Sequence, residues 1–438
     1  MNAAAVPFVE SMRVAAGALR LPGSGLAWLD RARGEALQTF FERGLPDARN
    51  ELWKYTNLRA LAQRGFTVGD AEATDRQIAP TLLPSMVRNG PCIVFVNGAF
   101  RSDLSMLDAL HQGVTLQPLS EALREHPEPL RFLLGSHADE DDGFTLLNGA
   151  LAADGMILRV EAGVKVPVPL HVVHAGVAGD MACAWHLRSL IELGEGASLD
   201  VVEHHVGDSD AGHVANLVCE IALRDGAQLR WTSVQTAGAE STLLRRSDCR
   251  VGADAAVDFH ALELGGKLAR HELRVDLAGE RARFRSRGAF VLHGRQHADT
   301  EVLVTHRGRD SVGDSLWRGV ADDRARGVVH GRILVLPGAD GADGGFYNKN
   351  LLLSPDAEID TRPALEIYAD EVKANHGATV GQLDEKALFY LRSRGVPLEM
   401  ARRMLVRAFC AVTLDGIEPA PLREHCETLL AGQLPEAT

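Results

Sequence analysis

The 438-residue chain carries 46 Lys and Arg against 59 Asp and Glu, a net charge of −13, and residues of the AVILMFWYC set make up 46% of it. That apolar content excludes wholesale disorder, and an acidic balance without a dense basic run excludes a phosphate-backbone partner, so no nucleic acid is expected. No apolar run reaches the length of a membrane span, and the start MNAAAVPFVESMRVAAGALR lacks the basic-then-apolar layout of a secretory signal, so neither membrane nor export is expected.

Cysteines at 92, 183, 219, 249, 410 and 426 are dispersed without a C-x-x-C pair, which points to reduced thiols in the cytoplasm. A chain of this length buries a large core, as several domains or as one elongated body with appendages. From Ser24 to about Leu61 the apolar residues Leu26, Trp28, Leu29, Ala36, Leu37, Phe40 and Phe41 recur near helical spacing. The string Leu45-Pro46 to Trp53-Lys54-Tyr55-Thr56 then reads as a helix-to-loop junction with Trp53 and Tyr55 packed into the core. CIVFVNGAF, Cys92 to Phe100, reads as a strand ending in an Asn-Gly reversal, and a helix is expected from Leu119 to Leu134.

From about Gly155 short apolar alternations separated by glycine-centred turns continue for two hundred residues. Gly196-Ala197, Gly226-Ala227, Gly252-Ala253 and Gly279 stand 30, 26 and 27 residues apart. Strand-like pieces beginning at Leu199, Leu229 and Val257 keep similar offsets from them. Such a period, without helical spacing between the glycines, predicts stacked coils of a parallel β-helix. A sandwich or barrel is the alternative, but it needs hairpin turns that the few Asn-Gly and Asp-Gly pairs do not supply.

Several clusters of polar residues have spacings that bear on chemistry. Arg281, Arg283, Arg285 and Arg287, at every second position, are expected on one solvated or ion-paired strand face. His297, Asp299 and Glu301 share a strand face, with His293 and His306 near enough in sequence to join, so this face is either a polar outer surface or a metal or acid-base site. Asp322, Asp323, Arg324 and Arg326 suit pairing between adjacent coils, and Asn348 and Asn350 suit side-chain amide ladders. Gly344 and Gly345 are expected in a loop, and the chain has neither a G-x-x-x-x-G-K-[ST] phosphate loop nor a G-x-S-x-G elbow. His376 is expected in a turn, as a hydrogen-bonding residue or a metal ligand. The tail predicts a helix capped by Asp384 and ending at Gly395, then a second opened by Pro397 with the stripe Leu398, Ala401, Leu405, Ala408, Phe409 and Val412. These helices either cover an open sheet edge or present a partner-binding face.

Leu45-Pro46 to Thr56, the string from Asp314 through Arg318-Gly319-Val320, Asp322-Asp323 and Arg324-Ala325 to Gly331-Arg332-Ile333, and the stretch Asn348 to Gly395 together resemble the SufB/SufD family of iron–sulfur cluster assembly proteins. The Trp53-Lys54-Tyr55-Thr56, Leu351-Leu352-Leu353-Ser354-Pro355 and Glu366-Ile367-Tyr368-Ala369-Asp370 wording favours the SufD branch. One substitution departs from it: where related sequences usually read Val-Lys-Cys-Ser-His, this chain has Val372-Lys373-Ala374-Asn375-His376.

The resemblance implies a mainly β fold, a right-handed parallel β-helix core flanked by helical regions. Residues 1–150 are expected to form a mainly helical region with a short strand segment, 151–380 the β-helix and 381–438 a helical tail. It also implies a non-catalytic subunit that pairs with the SufB scaffold through its last coils and docks the SufC ATPase on the tail, with homodimer formation in the absence of SufB left open. His376 would be the cluster-site residue and metal ligand, shared with a SufB cysteine. Leu388, Leu391, Arg392, Arg394, Leu398 and Leu405 would serve SufC docking. No cofactor is expected on the isolated chain beyond a transient iron–sulfur cluster in the complex, with flavin binding left open. The competing readings are a β-helix enzyme acting on a carbohydrate or other polymer through His297, Asp299 and Glu301, and a SufB-like scaffold holding a cluster alone.

Overall fold

A computed structural model describes residues 6–69, 75, 77–79, 81–136, 142–179 and 181–433. From Met156 onward successive strands alternate between two sheets and stack almost wholly in parallel, giving a β-solenoid of about eight coils. The first sheet runs from Met156–Val160 and Cys183–Leu193 to Arg326–Val335 and Glu358–Ile367. The second runs from Leu170–Gly176 and Ser198–Gly207 to Asp343–Leu352 and Lys373–Gly381. Leu199, Leu229 and Val257 stand in one register column, as their offsets in sequence predict.

At one corner of the coils a residue with positive φ precedes a small one: Gly196–Ala197, Gly226–Ala227, Asp254–Ala255, Arg281–Ala282, Asp310–Ser311 and Gly341–Ala342. These small side chains are buried, stacking coil on coil where a larger one would push the turns apart. The corners recur every 27 to 31 residues, but two of the glycines expected to make them do not. Asp254 and Arg281 take the left-handed backbone instead, while Gly279 lies where neighbouring coils nearly touch, so that a Cβ there would come 2.0 Å from the Ala253 nitrogen.

The N-terminal end of the solenoid is closed. Val114–Pro118 pairs antiparallel with Met156–Val160, and Cys92–Val96 extends the second sheet before turning through Asn97 and Gly98, both at positive φ, into Ala99–Phe100. That is the expected Asn-Gly hairpin. Among the described residues the C-terminal end has no such closure: Glu358–Ile367 and Lys373–Gly381 each pair on one side only and end their sheets.

Helices cover both outer faces. Pro7–Ala18, which the sequence reading did not separate, joins Ala27–Arg43 and Gly143–Leu151 over the first sheet, burying Phe8, Phe40, Trp53 and Phe144 against Ala184, Val214 and Leu244. Tyr55 is only half-buried. The helix expected from Leu119 to Leu134 is broken into Leu119–Glu125 and Pro127–Leu130, because a residue before proline avoids helical backbone and His126 takes φ −140°, ψ 63°. On the second sheet Glu385–Ser393, Leu398–Ala411 and a third helix, Ala420–Gly432, bury Val406, Cys410, Leu422 and Cys426 against Val202, Val234, Leu262 and Val291. The tail therefore covers a sheet face and leaves the terminal edge free. No helix among the described residues is long and apolar enough to cross a membrane, and all six cysteines are free.

Asp154, buried beside the first coil, accepts hydrogen bonds from the Ser120 backbone and hydroxyl and from the Gly155 amide at 3.0–3.1 Å, tying the Leu119 helix to the solenoid. Burial pushes its carboxyl from 3.8 up to about 6, outweighing these bonds. The folded chain therefore holds this proton more tightly than the unfolded chain, and the stabilisation, complete below the unfolded value, is lost as pH rises towards about 6. Asp154→Asn keeps an acceptor for Ser120 and removes the ionisation, so in urea unfolding the variant should gain on the wild type between pH 4.5 and pH 7.5. An unchanged difference across that interval would contradict the assignment.

Candidate assembly interface

The open end of the solenoid carries His376. It lies in the terminal strand Lys373–Gly381 and not in a turn, exposed, in register with Phe346 of the preceding coil. Partners in a parallel ladder share a face, and Phe346 belongs to the solenoid core. Ala374, His376, Ala378 and Val380 thus stand on the lumen side of a coil with no further coil above it, and His376 sits at the mouth. Thr361, Pro363 and Leu365 hold the matching positions on the first sheet. Ala374, opposite Gly344, leaves no thiol beside the imidazole. The nearest cysteines in sequence, Cys410 and Cys426, are buried under the tail helices, where desolvation pushes their thiols up to about 12.

The tail residues divide. Leu388 is buried, and Leu391, Leu398 and Leu405 are half-buried, whereas Arg392 and Arg394 are exposed. Beside these arginines stand Phe389 and Tyr390, 73% and 57% exposed, and Met400 and Met404, apolar side chains that the stripe in the sequence did not single out. A cleft of about 330 Å³ between these helices and the Leu352–Pro355 corner is lined by Leu353, Leu388, Arg402 and Val406.

His297, Asp299 and Glu301 do share a face, but it is neither solvated nor vacant. Arg270, one coil back, donates to Asp299, to Glu301 at 3.1 Å and to Glu272 at 2.7 Å, and its guanidinium lies 4.1 Å from the Trp53 ring. Burial alone would lower the Arg270 pKa; the three carboxylates more than reverse it and keep the cation firmly charged. Thr56 completes the cluster, donating to Asp299 and lying 3.0 Å from His297 Nε2. A guanidinium thus stands where a metal or substrate would have to sit. His306 does not join, because it points into the lumen and bonds Ser311 at 2.9 Å, and His293 lies at the preceding corner. The reading of this face as an enzymatic or metal site is corrected to a buried ion-pair latch for the N-terminal helices. Its signal in sequence was the alternation Arg270, Glu272, Arg274, Asp276 along one strand.

The other polar clusters resolve as contacts between coils or along a strand. Arg281 and Arg285 pair with Asp254 and Asp258, and Arg324 and Arg326 with Asp356 and Glu358, one coil away. Asn348 and Asn350 bond each other along one buried strand, at 2.6 and 3.2 Å, and do not form a ladder across coils. Gly344 and Gly345 lie within that strand, not in a loop.

Residues 176–409 match the SufBD core domain of the SUF system of iron–sulfur cluster assembly, and residues 21–172 match the SufBD N-terminal region. The chain belongs to the SufB/SufD family. It is 30% identical to the iron–sulfur cluster assembly protein SufD of Escherichia coli K12, over 91% of this chain and 92% of that one. It is 29% identical to SufD of Bacillus subtilis 168 over 70% of each, and 26% identical to the chloroplastic protein ABCI7 of Arabidopsis thaliana over 94% of this chain and 87% of that one. Membership carries a role in iron–sulfur cluster assembly.

The latch makes a prediction of its own. Arg270→Met removes the cation that Asp299, Glu272 and Glu301 share. Among the described residues this leaves Asp299 without a salt bridge, Glu272 with Arg274 at 3.3 Å and Glu301 with His330 at 3.6 Å, which should cost about 3–5 kcal/mol in urea unfolding at pH 7.5. The loss should shrink at acidic pH, where protonation removes the repulsion; a variant as stable as the wild type at pH 7.5 would show the cluster to be dispensable.

Proposed function

We propose that this chain is a non-catalytic, cytoplasmic subunit of the Suf assembly complex. It pairs with SufB through the unpaired edge of its last coil, docks SufC on the tail helices and self-associates through the same edge when SufB is absent. The single observation that carries the reading is the placement of His376 at the mouth of an unclosed parallel solenoid. A terminal strand with one row of unused backbone donors and acceptors is a template for another strand. A homologous solenoid offering its own last coil would close the lumen over the imidazole. Neutral imidazole ligates iron, and with Ala374 beside it the sulfur ligands come from SufB. The cluster is cargo of the assembled complex.

His376→Ala should still co-purify with SufB and SufC but abolish cluster assembly, read as visible absorbance and acceptor activation under anaerobic conditions; full assembly by the variant complex would sink the role of His376. Phe389→Asp combined with Met404→Asp should release SufC while SufB stays bound. Retention of SufC would move its dock elsewhere.

A further inference from the structure

We propose that the lumen of the first coils holds a second, separate site, in which His174, Glu203 and His205 bind one divalent transition-metal ion. His174 and His205 are register partners on adjacent strands of the second sheet, and Glu203, two residues before His205, shares its face. That face is the lumen, since Leu199 and Val201 of the same strand belong to the solenoid core. Nε2 of His174 lies 3.5 Å from one Glu203 oxygen and Nε2 of His205 lies 3.1 Å from the other. The three donor atoms fall within 4.8 Å of one another. Around an ion with ligand bonds near 2.0–2.1 Å, tetrahedral donors stand roughly 3.3–3.5 Å apart, so small ring rotations complete the geometry.

The trio is held and yet unsatisfied. The two imidazoles stack at 5.0 Å and 15°, with the Phe95 ring 5.7 Å beyond His174. One Glu203 oxygen accepts from Ser233 Oγ at 3.0 Å and from Trp231 Nε1 at 3.3 Å, the outer support that orients a ligating carboxylate, while the other oxygen faces Nε2 of His174. His205, 2% exposed, has no aligned hydrogen bond on either ring nitrogen, and Nδ1 of His174 has none. A buried carboxylate normally has a fixed cation. The salt-bridge partners of Glu203 among the described residues are the two histidines, while Arg245 is committed to Glu263 and Ser233. Glu203 nevertheless keeps 15% of its side-chain surface accessible.

Two imidazoles and one carboxylate with an open position suit Fe²⁺ or Zn²⁺, and an all-oxygen shell for Mg²⁺ or Ca²⁺ is missing. Six coils separate this trio from His376, about 30 Å at the spacing of parallel strands, so the bound ion is resident in the closed end and takes no part at the mouth.

Tag-free full-length protein, stripped with chelator and titrated anaerobically with Co²⁺ as a spectroscopic stand-in and then with Fe²⁺, should bind one ion per chain with ligand-field absorption of a low-coordinate N/O site. Glu203→Gln, which preserves shape, and His205→Ala should each weaken binding at least roughly 10-fold, while His376→Ala leaves it unchanged. Saturating metal should also raise the thermal midpoint of the wild type but not of Glu203→Gln. Absence of saturable binding by the wild type, binding that Glu203→Gln leaves intact, or binding lost only with His376→Ala would each overturn the site. Should His205→Ala fail to fold, the Glu203→Gln result decides.

Discussion

A parallel solenoid satisfies the backbone of each coil only by means of the next, and that constraint governs the rest of this molecule. Every strand from Ser198–Gly207 to Asp343–Leu352 spends its donors and acceptors on neighbours about 30 residues away in sequence, so the order of coils is the order of the chain. An interior coil is complete, but an end coil is not, whatever its residues. The protein treats its two ends differently. Antiparallel strands and an Asn-Gly hairpin close the first, whereas the last coil is left with a free edge and a lumen face carrying an imidazole. Natural sheets blunt such edges by charge, by brevity or by a covering element. The tail helices that could have covered this one are spent on the side of the second sheet. An end left unclosed beside an exposed imidazole is the geometry on which the proposed interface rests.

The same stacking decides what the polar residues do. On outer faces, register places acids and bases opposite one another coil after coil, so charge pairs such as Arg285 with Asp258 hold alignment at exposed positions where each contributes little. Under the N-terminal helices the same pattern becomes costly to disturb, since three buried carboxylates share Arg270 and Asp299 has its salt bridge there. The helices are thus fastened by charge as well as by the aromatic cluster around Trp53 and Phe144. In the lumen, polar groups rely on one another and on the backbone of adjacent coils. Asn348 and Asn350 bond each other and the Trp317 and Thr379 carbonyls, and His306 pairs with Ser311, whereas His205 and Nδ1 of His174 have no aligned hydrogen bond.

Much of the architecture was legible in the sequence because a solenoid writes its period into the chain. The small-residue corners, the offsets of Leu199, Leu229 and Val257 and the hairpin at Asn97 are local features with local causes. Two of the corners were misplaced by two residues because glycine serves close approach as well as positive φ, and at Gly252 and Gly279 it does the former. The helix from Leu119 broke at a pre-proline residue, a local signal that hydrophobic periodicity hid. What the sequence could not display was which outer faces are covered. His297, Asp299 and Glu301 look alike on a bare strand and beneath a helical layer, and only the packing of Trp53 and Thr56 over them, with Arg270 from the next coil, tells a latch from a site. The second sheet met the same difficulty: Leu388 and Val406 turned inward, and the apolar residues left outside were Phe389, Tyr390, Met400 and Met404.

The substitution at Ala374 acquires its meaning from the ladder. Positions 374 and 376 are two apart on one strand, so their side chains stand on the same lumen face about 7 Å apart. A thiol at 374 would have lain deeper along the strand from the corner, opposite Gly344, and an imidazole at 376 opposite Phe346. Replacing the thiol by a methyl group changes nothing that the ladder or the core requires, since Gly344 leaves space beside it. The fold is therefore indifferent to residue 374, and the effect of the change falls on ligand chemistry. With one strand offering a single nitrogen donor at the mouth and every cysteine of the chain elsewhere, a cluster built there must draw its sulfur ligation from whatever closes the solenoid.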